Sequence, residues 1–295
     1  MYTTLISVDE LQTLQSSGAP FMVFDCSFDL MNPAAGEEAY RKAHIPGAVY
    51  ASVDTALSDE GIVDPDGTHR PHPDAASGGR HPLPSREKFA MWLSSVGFAN
   101  DMQAVVYDRN GANYCGRLWW MLKWAGHEAV AVLNGGLQAW QAARGEVTDR
   151  EEPAHFQSNF KLGPELRKLA TTSDVLRQLG KKSQTIVDAR SNPRYKGEME
   201  PIDPVAGRIP GALNRPSTQN IGADGKFKPA AQLKAEFEQV LQGHDPATVV
   251  HHCGSGVSAV PNVLAMELAG LGPTALYAGS WSEWITDPKR PVEKG

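Results

Sequence analysis

Residues 249–259 read VVHHCGSGVSA, and residues 104–111 read AVVYDRNG. In each, a run rich in β-branched residues stops at a polar residue or cysteine and a glycine-containing turn follows. That pattern marks a strand ending in a tight loop. In the later stretch the strand-end residue is Cys253. Gly254 and Gly256 allow positive φ angles, so several backbone N–H groups can curl toward one point. The run from Ser258 through Ala269 predicts a helix, with Pro261 tolerated in its first turn and Gly270 as its stop. The N-terminus of that helix then faces Cys253. Amide donors and a helix N-terminus both favour the thiolate, which is the nucleophilic form of cysteine. A lone cysteine is more often a small buried hydrophobe. A place between a β run and a glycine turn suits core packing badly, and Cys253 therefore reads as a nucleophile.

The two loops occupy matching places in an internal repeat of about half the chain. In the first half, FMVFDCS (21–27) is followed by AYRKAHIPGAVY (39–50), AVVYDRNG, a helix and VAVLNGGLQAW (130–140). In the second half, TIVDARS (185–191) is followed by PRYKGEMEPIDPVAGRIPGALN (193–214), TVVHHCGSG, a helix and TALYAGSWSEW (274–284). Alternating β-type and helical runs predict an α/β fold in each half, a mostly parallel sheet with helices on both faces. Ser7 with Glu10 forms a capping box for the first helix, and Thr172 or Ser173 begins its counterpart. The stretch RGEVTDREEPAHFQSNF (144–160) is polar and lacks apolar periodicity. This places a linker at 146–161 between domains 1–145 and 162–295. Where the second half has Cys253, the first has Asp108, within one residue of register. A carboxylate cannot carry sulfur, so the first half is expected to be the noncatalytic partner.

A chain of 295 residues accommodates two cores, and 41% hydrophobic with 21% charged residues is an ordinary globular composition. The net charge of −6 with dispersed Lys and Arg argues against nucleic acid as a partner. No apolar run is long enough for a membrane span, and MYTTLISVDELQTL lacks the pattern of a secretory signal, so a cytoplasmic location without membrane partners is expected. Three scattered cysteines suit neither a disulfide framework nor a zinc site. Cys26 ends an apolar run and reads as structural, and Cys115 reads as a helix-start residue.

The loop CGSGVSA resembles the active-site loop of the rhodanese-related sulfurtransferases, most closely the branch that uses 3-mercaptopyruvate. Thiosulfate-using members typically carry basic residues directly after the cysteine, where this chain has Gly254 and Ser255. The resemblance spans nearly the whole chain. It implies two tandem rhodanese-like domains with the active site between them and catalysis in the second. It also implies that Cys253 takes sulfur from a small-molecule donor as a persulfide. The acceptor is then a thiol such as thioredoxin, a small thiol, or cyanide. No metal or organic cofactor is called for, and a monomer is expected. Amides of the loop carrying Gly254, Gly256, Val257 and Ser258 would stabilise the sulfur anions.

A donor bearing a carboxylate asks for cations near the thiol, and arginine suits this through its planar fork. Arg194 in the Arg-Tyr-Lys-Gly segment matches the family's substrate-binding arginine. Arg190 reads either as a second substrate contact or as an ion-pair partner of Asp188. Related chains carry another arginine in a Pro-Glu-Pro-Arg type segment, where this chain has Glu200-Pro201-Ile202-Asp203. Arg208 either restores that charge or is a solvated surface residue. The family's serine, histidine and aspartate relay maps onto Ser255, His81 in GGRHPLP and Asp54; read from the residues alone, His81 is a histidine in a proline-rich loop. Strand alternation sends His251 and His252 to opposite faces, one of them packed without a catalytic duty. Two rivals are weighed. A cysteine phosphatase needs an arginine at the far end of the loop, where Ser258, Ala259 and Val260 stand. A noncatalytic sulfur-binding module is disfavoured by the presence of Cys253 and Arg194 together.

Overall fold

The computed structural model describes residues 1–64 and 69–295. The chain forms two compact units. The first opens with β1 (Leu5–Ile6), α1 (Val8–Ser16), β2 (Phe21–Asp25), α2 (Ala34–Lys42) and β3 (Val49–Tyr50). Along the chain a short antiparallel pair follows, β4 (Ile62–Val63) with β5 (His69–Arg70), which belongs to the second unit; the first unit then resumes with α3 (Arg86–Ser95), β6 (Gln103–Tyr107), α4 (Cys115–Trp124), β7 (Val130–Leu133) and α5 (Gly136–Ala142). The sheet of the first unit runs β1-β7-β6-β2-β3, all parallel. All of β6 is buried, as expected of a central strand covered on both faces. The predicted capping box is present: the Glu10 amide donates to Ser7 Oγ at 3.2 Å and the Ser7 amide to Glu10 Oε2 at 2.8 Å.

The second unit repeats the plan with α6 (Thr172–Arg177), β8 (Thr185–Asp188), α7 (Asn192–Lys196), β9 (Leu213–Asn214), α8 (Ala230–Leu241), β10 (Val249–His252), α9 (Val260–Leu268), β11 (Ala275–Leu276) and α10 (Ser280–Trp284). Its parallel sheet runs β11-β10-β8-β9, and a single bridge from Leu169 to Leu276 extends it where the first unit has β1. The opening cap is Thr171, paired with Asp174, one residue earlier than the sequence suggests. The predicted helix after Cys253 begins at Val260, with Pro261 in its first turn.

Backbone pairing fixes the register of the repeat. The Cys26 amide donates to the Tyr107 carbonyl at 2.8 Å, and the Ala189 amide donates to the His252 carbonyl at 2.8 Å. Tyr107 and His252 are therefore equivalent, and so are Asp108 and Cys253, with no slip between them.

The two units interleave along the chain, unlike the linear division at 146–161. The first comprises residues 1–58, 84–166 and 223–227; the second comprises 59–83, 167–222 and 228–295. Segment 59–83 is anchored in the second unit by single polar contacts. The Gly78 amide donates to Glu283 Oε2 at 3.1 Å and the Arg80 amide to Ser282 Oγ at 3.0 Å. The polar stretch after α5 lies along the first unit. There Thr148 donates to the His44 carbonyl at 2.9 Å, Ser158 to the Ser94 carbonyl at 2.9 Å, and the Phe160 ring packs 5.8 Å from Phe98. Such irregular segments are held by backbone hydrogen bonds and isolated anchors, which leave no periodic trace in a sequence.

Candidate active site

Cys253 is the first residue past β10 and is only 3% exposed. Its carbonyl accepts from the Trp281 amide at 3.0 Å, and the Gly254 carbonyl accepts from the Ser282 amide at 2.8 Å. The Cys253 amide donates to Ser280 Oγ at 3.1 Å, and that hydroxyl donates on to the Tyr277 carbonyl at 2.9 Å. Both carbonyls are thus tied down at α10. Gly256 has φ +75°, and a Cβ there would overlap the Ala278 carbonyl oxygen, so only glycine fits. Among the described residues, the amides of Ser255, Val257 and Ala259 meet no hydrogen-bond acceptor.

The matching loop of the first unit shows what such amides hold. Asp108 Oδ1 accepts from the amides of Asn110 (2.8 Å) and Ala112 (3.1 Å), and Oδ2 from those of Tyr114 (2.8 Å) and Cys115 (3.0 Å). By the register above, the first three of these correspond to Ser255, Val257 and Ala259. The strand-end loop is therefore an anion nest. In the first unit its own carboxylate fills it.

His81, within segment 59–83, places Nδ1 2.6 Å from Ser255 Oγ, with both side chains buried. The cationic groups around Gly254 come from two further segments. A Cβ on Gly254 would stand 3.1 Å from Arg80 Nη2 and 3.6 Å from Arg194 Nη1 and Nη2. Arg194 commits Nε (3.0 Å) and Nη2 (2.7 Å) to Glu200 Oε1 and also reaches Asp203 Oδ2 at 3.1 Å. The other oxygen of Asp203 pairs with Arg80 Nη1. Burial would raise the Glu200 carboxyl, but hydrogen bonds from Arg194 and from the Asp203 and Ile202 amides hold it below the ordinary range.

Arg190 is the ion-pair partner of Asp188, with Nη2 2.6 Å from Oδ2 and 2.7 Å from the Gly207 carbonyl. Its Nη1 reaches Glu200 at 3.3 Å and its plane covers the Trp281 ring at 4.7 Å. With every edge committed, it offers nothing to a substrate carboxylate, contrary to that alternative. Arg208 does not restore the missing charge either. Its two Nη groups bind Glu293 and the Gly295 carbonyl, and its plane lies 4.6 Å over Tyr195. It is also buried, so the solvated-surface reading fails as well. Asp54 follows β3 in the first unit, where its amide donates to Ser52 Oγ at 3.2 Å.

Cys26 and Cys115 are buried, and both thiols are pushed well up, first by burial and then by the Asp25 and Asp108 carboxylates. They remain thiols at neutral pH. His251 and His252 are both fully buried. His251 Nε2 lies 3.2 Å from Met266 Sδ, and burial followed by the neighbouring His252 lowers its pKa to about 3. His252 Nδ1 lies 3.1 Å from the Cys253 carbonyl, and burial lowers this group too, against the pull of Asp188. His252 thus supports the loop from below, while His251 is a packed core residue.

Sequence reading missed Arg80, Asp203 and the pairing of Glu200. Two signals bear on them: Arg80 is adjacent to His81, and Asp203 stands in the segment where related chains carry a second arginine.

Two parallel α/β units, one with a carboxylate in its strand-end nest and the other with a cysteine, define a tandem protein with one thiol site. The rhodanese-like domain family matches residues 7–143 and 171–287, and the chain belongs to that family. It is 41% identical over 281 residues to a Pseudomonas aeruginosa protein named "Probable 3-mercaptopyruvate sulfurtransferase", covering 93% of this chain and 92% of that one. It is 31% identical over 309 residues to the thiosulfate sulfurtransferase of Mus musculus, covering 100% of this chain and 97% of that one. The solved 3-mercaptopyruvate sulfurtransferase of Leishmania major superposes with a TM-score of 0.79 at 28% identity, covering 95% of this chain and 73% of that one.

Proposed function

We propose that the chain is a sulfurtransferase in which Cys253 takes sulfur from 3-mercaptopyruvate and passes it to a thiol or to cyanide. The observation that carries this reading is the buried thiol at the mouth of a nest whose twin already holds an anion. A nest with open amides favours a thiolate and, after transfer, a persulfide anion.

The Cys253 thiolate attacks the donor sulfur, forming an S–S bond as the donor's C–S bond breaks. The electron pair of that bond goes to the methylene carbon and yields the enolate of pyruvate, while the thiol proton of the donor stays with the transferred sulfur or its surroundings. Protonation at carbon releases pyruvate. The Ser255 hydroxyl, two residues past the nucleophile and 2.6 Å from His81 Nδ1, serves the developing enolate oxygen or its protonation. Asp54 is proposed as the third member of this relay on the family resemblance. An acceptor thiolate or cyanide then attacks the outer sulfur and regenerates the Cys253 thiolate, giving double-displacement kinetics.

Intact-mass analysis after treatment with 3-mercaptopyruvate should find one added sulfur on Cys253. Cys253→Ser should abolish turnover, and Cys26→Ser and Cys115→Ser should keep most of it. Sulfur on either of those two residues would overturn the site. A higher kcat/KM for thiosulfate than for 3-mercaptopyruvate would replace the donor, a second reading favoured by the thiosulfate-named relative.

A further inference from the structure

Residue 280 departs from a conformational rule that its counterpart in the first unit keeps. The Trp281 amide donates to the Cys253 carbonyl at 3.0 Å as the Leu137 amide donates to the Asp108 carbonyl at 3.2 Å, so Ser280 is equivalent to Gly136. Both stand in the left-handed region, at φ +56° and +59°. Glycine takes that conformation readily, and a residue with a side chain gives up stability to hold it. In the first unit a Cβ on Gly136 would lie 2.3 Å from the Asp108 carbonyl oxygen, whereas the second unit has room for a serine at the same place. Ser280 is also completely buried, unlike the other described non-glycine residues with positive φ, Ala112, Arg144 and Gln242. An outlier of this kind, kept beside a nucleophile, points to a role there.

The hydroxyl shows which role. Ser280 Oγ accepts from the Cys253 amide at 3.1 Å and donates to the Tyr277 carbonyl at 2.9 Å, and neither bond goes to α10 itself. Cys253 is thus held at both of its backbone polar groups by consecutive residues, the amide by Ser280 and the carbonyl by the Trp281 amide. Holding both groups fixes the orientation of the residue and with it the direction of the Cα–Cβ bond that carries the thiol. We infer that Ser280 is a positioning residue that aims the Cys253 sulfur at the nest. This rests on the functional reading above and adds a residue to it that touches neither donor nor acceptor. In double displacement the same sulfur first attacks the donor and is later the atom left behind when the acceptor removes the outer sulfur. A group that aims it acts on both half-reactions alike. The first unit, whose strand-end carboxylate is held in its nest by four amides, has nothing to aim and keeps glycine.

Ser280→Gly is the informative variant, because it removes the hydroxyl and suits the left-handed backbone. Relief of that conformation offsets the lost hydrogen bond, so the urea-unfolding midpoint should stay close to that of the wild type. In single-turnover measurements, persulfide formation from 3-mercaptopyruvate and persulfide discharge to cyanide should slow by a similar factor, about 10- to 100-fold, the scale of a misplaced reacting atom. In the steady state this appears as lower kcat with KM for the donor nearly unchanged. Ser280→Ala should lose as much activity and also unfold at lower urea, since it keeps the unfavourable backbone without the hydroxyl. Unchanged rates in Ser280→Gly, a loss confined to one half-reaction or to KM, or a midpoint that falls along with activity in Ser280→Gly would each overturn the assignment. Alkylation of Cys253 by iodoacetamide, followed by intact mass, tests it without any sulfur donor. Its rate should fall by about tenfold in Ser280→Gly, and an equal or faster rate would overturn the positioning role. A wild type that forms no persulfide from 3-mercaptopyruvate would instead remove the donor reading, while alkylation still decides Ser280.

Discussion

Arg194 is one residue with two duties, because the edge it gives to Glu200 also keeps that carboxylate charged and neutralised. Glu200 and Asp203 side chains are each only 3% exposed, so removing the arginine leaves buried negative charge facing an anionic donor. Arg194→Ala is expected to lower kcat/KM for 3-mercaptopyruvate by about 10- to 100-fold, on the scale of a lost charge-assisted contact. Part of that loss is repulsion and not a missing donor. Adding Glu200→Gln to Arg194→Ala should therefore recover some activity, which steady-state kinetics on the two variants would show. No recovery would mean that Arg194 acts through its own Nη1 contact alone.

At the scale of the element, the loop from β10 to α9 works because its two glycines do different things. Gly256 is required by the backbone: φ is +75° and the Ala278 carbonyl leaves no room for a Cβ. Gly256→Ala should cost at least about 1–2 kcal/mol in thermal or urea unfolding from the left-handed conformation, with overlap added. Persulfide formation should fall with it, as the amides of the nest turn away. Gly254 meets only the far ends of flexible arginines, at 3.1 and 3.6 Å. Gly254→Ala should accordingly keep its stability and shift KM, so the two substitutions separate loop geometry from donor binding. Arg80 and Arg194 occupy the space that a longer residue at 254 would need.

At the scale of the whole molecule, the two units are the same construction with two exchanges at the strand end. In the first, Arg109 occupies the position of Gly254 and binds Asp25 at 3.0 Å; in the second, Arg190 comes from a different loop to bind the equivalent Asp188. The nest then exchanges a carboxylate for a thiol, and the place of Arg109 is cleared. Of the two buried histidines of the second sheet, His251 makes its stability pH-dependent. His251 has its pKa lowered from 6.5 to about 3. Above the higher value both folded and unfolded chains hold it neutral. As pH falls below that value the unfolded chain takes a proton that the fold refuses, so stability is lost progressively down to the lower value. The slope is about 1.4 kcal/mol per pH unit for this group. Urea unfolding of His251→Leu should show a shallower acid slope than the wild type, and an equal slope would remove His251 from the account. Much of the molecule was legible in its residues. The repeat, the parallel α/β plan, the Ser7 cap, the Cys253 loop and its helix were determined by the sequence itself, because caps, glycine turns and strand runs are encoded within a few neighbouring positions. The fate of Arg190 and Arg208, the membership of segment 59–83, and the placing of Arg80 over Gly254 were decided only by the tertiary structure. His81 and Ser255 are 174 positions apart, and a guanidinium finds its partners through packing across such distances, where the surrounding residues carry no periodic signal.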